Sequence, residues 1–142
     1  MKFHKQLFLH DPENGVWGDC YRTCIACILD LGSPEEVPHE NRDITDVEQW
    51  ELIDNWLRPR GLLRITIPIN GDAGVEAALA SGTYWVRNAV PFIFSGASRR
   101  GTCHAVVAQD GRIVHDPAWY DASVVGPERS GFMWVEYFVR LP

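Results

Sequence analysis

Apolar and polar positions along the chain change their period near residue 61. Before it the spacing is helical. Cys20, Cys24, Cys27, Ile28 and Leu31 recur at i, i+4, i+7, i+8 and i+11, the rhythm of one helical face. Ile25, Ala26 and Leu29 make the opposite face apolar as well, so this helix is expected to be buried nearly all round. Gly18 and Asp19 supply a turn and a cap, and Gly32 reads as its stop. Ser33-Pro34-Glu35-Glu36 predicts a short second helix, with a serine cap and proline at the first helical position. Thr45-Asp46-Val47-Glu48 is a capping box, and Val47, Trp50, Ile53 and Leu57 continue it as an amphipathic helix that ends near Pro59 and Gly61.

After Gly61 the period falls to two. Leu63, Ile65 and Ile67 alternate with Arg64 and Thr66, as in a half-exposed strand. Residues 75–80 predict an alanine-rich helix ending at Gly82. Strands are expected at 84–86, 90–94 and 132–139, and an edge strand at 3–9. Residues 104–108 and 112–116 predict a hairpin around Gln109-Asp110-Gly111. Helices first and strands later make an α+β pattern, and a chain of 142 residues suits a single domain over 1–142.

Composition narrows the function classes. A hydrophobic content of 46% with six tryptophans points to a packed core. The net charge of -6, with no basic face, speaks against nucleic acid as a partner. No stretch approaches the ~20 apolar residues of a membrane span. The first ten residues lack a signal-peptide core, so a cytoplasmic, reducing location is expected, with the four cysteines as free thiols.

Cys20 stands at a helix N-terminus, where free N–H groups and the macrodipole favour a thiolate. A cysteine nucleophile needs a base and a group that orients the base. His104 follows a polar loop and opens an apolar strand, which suits the base; Asp116 suits the orienting group. Hairpin register decides the second choice. A three-residue loop 109–111 pairs His104 with Asp116 on one face. A two-residue Asp110-Gly111 turn slips the register by one, brings His115 to the face of His104 and turns Asp116 away.

Gly18-Asp19-Cys20 opening an apolar helix, a strand beginning Cys103-His104-Ala105-Val106-Val107, and Val114-His115-Asp116-Pro117 form an ordered set. It resembles the papain-like cysteine peptidases. It is most similar to the branch that trims double-glycine leader peptides, whose helix starts Asp-Cys and whose third member sits in an Asp-Pro. The resemblance runs from Asn14 to about Pro117. It implies a papain-like α+β fold in which a buried N-terminal helix carrying the cysteine packs on an antiparallel β-sheet. It also implies a peptide or protein substrate, no cofactor, and cleavage of a peptide, isopeptide or related amide bond through a thioester. Cys20 is then the nucleophile, His104 the general base and acid, and Asp116 the orienter. Asn14 takes the place, six residues before the cysteine, where the family usually has an oxyanion-binding Gln. The backbone N–H of Cys20 is the second oxyanion donor, and Trp17, Tyr21 and Trp119 are expected along the substrate groove.

Other classes compete. Transfer to an amine, as in transglutaminase-like relatives, uses the same residues, and a non-catalytic papain-like module would bind peptide or protein without turnover. Cys20-x-x-x-Cys24-x-x-Cys27 has the spacing of the iron–sulfur motif of radical S-adenosylmethionine enzymes, but here the spacers read as helix, not as a cluster loop. Zinc held by these cysteines with His104 is a further alternative. No metal is expected, and Cys24, Cys27 and Cys103 are expected in the core.

Overall fold

A computed structural model of the chain describes residues 1–87 and 90–142. Its centre is a five-stranded antiparallel sheet of β1 (Leu62–Asn70), β2 (Phe92–Ala97), β3 (Cys103–Gln109), β4 (Arg112–His115) and β5 (Phe132–Arg140), in the order β1-β5-β2-β3-β4. β2 and β3 are apolar on both faces because both faces are covered. On one side, Ile93, Ala105 and Val107 meet α1 (Cys20–Ile28) together with Ile53 and Leu57 of α2 (Asp46–Leu57). On the other, Phe92, Phe94, Val106 and Ala108 meet Ala78 and Leu79 of α3 (Val75–Tyr84). The molecule is thus an α+β fold of three layers. Among the described residues, no helix is long and apolar enough to cross a membrane.

Helix α1 is buried continuously from Arg22 to Cys27. It ends earlier than expected, at Asp30 instead of Gly32. Asp30 takes the left-handed conformation (φ 60°), and Leu31 and Asp30 donate N–H to the carbonyls of Ala26 and Cys27. This is the double bond of a Schellman cap with an aspartate in glycine's usual place. The Thr45 capping box forms with both reciprocal bonds, and residues 34–36 make a single 3-10 turn with a capping box of their own.

Three local expectations give way to packing. Helix α3 runs through Gly82 to Tyr84, so residues 84–86 do not form a strand. Gly82 serves contact instead of termination: a Cβ there would lie 2.7 Å from Phe92 Cζ. Residues 3–9 form a strap and not an edge strand. Consecutive N–H groups of Leu7 and Phe8 both bond Asp19 Oδ1, at 2.9 Å each, which no ladder allows. Cys103 is exposed at the start of β3 and does not belong to the core.

Candidate functional site

The first residue of α1 and the first residues of β3 meet at one end of the sheet. Asp19 is the N-cap by position, yet its side chain makes no capping bond. Its carboxylate, almost fully buried, points back to hold the strap through Leu7 and Phe8 and takes Arg22 Nε at 3.0 Å. Arg22 is also buried and donates to Val37 O. The buried pair therefore fixes the approach to Cys20 while leaving the helix N-terminus without a side-chain cap.

The hairpin reaches its register by a route neither simple turn provides. Asp110 and Gly111 both have positive φ (57° and 73°), and Gln109 pairs with Arg112, so the turn has two residues. That alone would bring His115 to the face of His104. A bulge at Val114 intervenes, because Ala108 pairs with Ile113 but Val107 pairs with His115. The inserted residue restores the parity. His115 turns to the opposite face, bonds His4 O at 2.6 Å and stacks on Phe3. Asp116 rejoins the face of Val106 and His104.

His104, about 7% exposed, donates Nε2–H to Asp116 Oδ1 at 2.8 Å. The carboxylate accepts only, so it fixes a proton on Nε2 and leaves Nδ1 as the nitrogen that can take up a further one. Asp116 is itself anchored: Oδ1 also takes Ala118 N–H at 2.9 Å, and Oδ2 takes Ser123 N–H at 2.7 Å. Burial alone would lower the imidazole pKa. The hydrogen bonds and charges of Asp116 and Cys20 outweigh it and raise the ring to about 9. Burial raises the Asp116 carboxyl, but His104 and the two backbone N–H groups bring it below its ordinary value.

The other three thiols are held protonated. Burial lifts Cys24 well above its ordinary value and raises Cys27. Partial burial of the sulfur, then the charges of Glu128 and Asp46, holds Cys103 at about 11. A thiol that stays protonated at neutral pH is a poor nucleophile. Only Cys20 combines a helix N-terminus with an imidazole.

These groups open on a cleft of about 800 Å³ lined by Cys20, Cys103, His104, Trp17, Tyr21, Trp50 and Trp134, among others. Tyr21, next to the sulfur, donates its hydroxyl to the buried Glu136 of β5, and Glu136 also faces Arg64 Nη1 at 3.6 Å. Arg64 in turn makes two bonds to Asp54 of α2. Tyr21 and Glu136 line the cleft, and behind them the network continues through Arg64 to Asp54, spanning α1, β1, β5 and α2. Its members lie in four separate segments, and nothing local in the sequence links them.

Of the expected site residues, Cys20, His104, Asp116, Trp17 and Tyr21 come together. Two do not. Asn14 sits exposed at the tip of a small loop, donates Nδ2 to Asp11 Oδ2 at 2.7 Å and lies outside the cleft lining. Asp11 and Val16 bridge backbone to backbone, so the loop closes below Asn14 and carries it away from the sulfur. Trp119 is 76% exposed and donates Nε1–H to Gln6 O, on the strap and not in the cleft. Two lining residues were not among the expected site residues: Trp50, from the apolar stripe of α2, and His10, at the base of the 11–16 loop.

Fold and site together define an α+β protein in which a helix-terminal thiol, an imidazole and a carboxylate share the end of an antiparallel sheet. No protein-family model matches the chain, and neither a curated protein nor a solved structure matches it.

Proposed function

We propose that the protein is a thiol-dependent hydrolase of the papain-like kind, acting on a peptide, isopeptide or related amide bond. One observation carries this reading: His104 is fixed through Nε2 by Asp116 at 2.8 Å and lines one large cleft together with Cys20. The Cys20 proton passes to His104, and the sulfur attacks the substrate carbonyl carbon. The electrons of the C=O bond move to oxygen, and the resulting oxyanion is stabilised by the Cys20 backbone N–H. As the carbonyl re-forms, His104 gives its proton to the departing amine and a thioester remains. Water, deprotonated by His104, then adds to the thioester, releases the acid and returns the thiol. Asp116 keeps the imidazole in the tautomer and orientation both steps need. Four free cysteines suit a reducing compartment such as the cytoplasm.

The test is selective alkylation followed by turnover. Iodoacetamide at pH 6 labels Cys20 at least about tenfold faster than Cys24, Cys27 or Cys103, read by peptide mass spectrometry. A peptide library incubated with wild type yields cleavage products that the Cys20→Ala variant does not. Equal labelling of Cys20 and Cys103, or identical library profiles for the two proteins, refutes the reading.

A further inference from the structure

An acyl-transfer site needs a second oxyanion donor opposite the helix amide, and Asn14 is not there to supply it. We infer that His10 is that donor, acting through its Nε2–H; this rests on the hydrolase reading above. Four observations converge on it. The Asp11–Val16 bridge returns the chain on itself, so His10, ten residues before Cys20, lies against Trp17 and Gly18. His10 lines the same cleft as Cys20 and His104. Gly18 N–H donates to His10 Nδ1 at 3.2 Å, so Nδ1 carries no proton while that bond stands and the neutral ring holds its proton on Nε2. That Nε2–H has no protein acceptor among the described residues, and is free to meet a ligand oxygen.

Gly18 is part of the device. A Cβ at this position would lie 2.9 Å from His10 Cβ, so only glycine lets the imidazole pack this close to the cysteine helix. The edge of the ring rests against Trp17, with centroids 6.4 Å apart and planes at 76°, which limits its swing. His10 and the uncapped N-terminus of α1 then present two donors from one short segment. The first is set by tautomer and the second by the helix.

Two reagents separate an oxyanion donor from a residue that merely props up the thiol. Acylation of Cys20 by p-nitrophenyl acetate passes through a tetrahedral oxyanion: a C–S bond forms, the carbonyl electrons move to oxygen, and p-nitrophenolate leaves. Alkylation by iodoacetamide displaces iodide at a saturated carbon and forms no oxyanion. His10→Ala is expected to slow acylation about 100-fold, the usual loss of one such donor, and to leave alkylation within about twofold. His10→Gln, which offers an amide N–H, recovers at least about tenfold of the acylation rate. Parallel losses in both reactions, or no loss in acylation, overturn the assignment. Absence of Cys20 acylation in the wild type would instead sink the hydrolase reading itself, so the two failures are distinct.

Discussion

Replacing Asp116 with Asn removes one charge and one acceptor from the centre of the site. Raising the His104 ring from 6.5 to about 9 amounts to roughly 3 kcal/mol of preference for the charged form, at about 1.4 kcal/mol per pH unit. Burial opposes that preference, so the favourable contributions of Asp116 and Cys20 together exceed it. With the carboxylate gone, burial acts against Cys20 alone, and the pKa of His104 falls by at least about one unit. The geometry adds a second cost. Asp116 uses Oδ1 for His104 and Ala118 and Oδ2 for Ser123, whereas an amide has one acceptor oxygen. Either Ser123 N–H or the His104 side must then face an NH2 group, and stability drops by about 1–3 kcal/mol. NMR titration of the histidine rings, with His104 assigned by its loss in His104→Gln, reads the first effect; urea unfolding reads the second. An imidazole that still titrates near 9 in Asp116→Asn refutes the electrostatic account of the site.

Other outcomes follow from the same geometry. Because the His104 pKa is higher folded than in its ordinary state, the stability gained from its pairing is complete below about pH 6.5. It is lost as pH rises through about 9, so the unfolding free-energy gap between wild type and His104→Gln closes over that window. His115→Gln, which removes a bond to the strap and the stacking on Phe3, costs about 1 kcal/mol and leaves Cys20 alkylation within about twofold; a large loss of labelling would make His115 the third member of the site. Asp19→Ala strands a buried Arg22 and frees the strap, lowering stability by about 3 kcal/mol and speeding hydrogen exchange at Leu7 and Phe8. Gly82→Ala forces a methyl group onto the Phe92 ring and costs about 1–3 kcal/mol by thermal melting; an unchanged Tm would show that α3 shifts freely.

Local signals in the sequence were strong where the physics is local. The capping box at Thr45, the buried face of α1 and the change to period two after Gly61 each depend on residues within a few positions of one another. So does the position of Cys20 at a helix start. The α+β class follows from the order of those elements. The remaining features depend on contacts across long separations. β5, last in the chain, inserts between β1 and β2. Gly82 reads as a helix stop until Phe92 packs on it from ten residues away. Asp19 looks like a cap until the strap claims its carboxylate.

The site divides the same way. Cysteine, histidine and aspartate stand in the chain in an order that suggests their meeting, but the choice between Asp116 and His115 rests on one inserted residue. Alternation along a strand has period two, so a bulge at Val114 exchanges the faces of everything beyond it. No residue type there announces it; it shows only in the sheet, where Val114 packs on the α1 side and His115, opposite Val107, follows on the same side. Loop closure acts likewise on the oxyanion side. The family resemblance pointed to Asn14, yet the Asp11–Val16 bridge puts that residue at the tip of a loop and His10 at its base. Distance along the chain measures reach only for an unfolded segment; once backbone bonds close a loop, its ends are neighbours and its middle is far away.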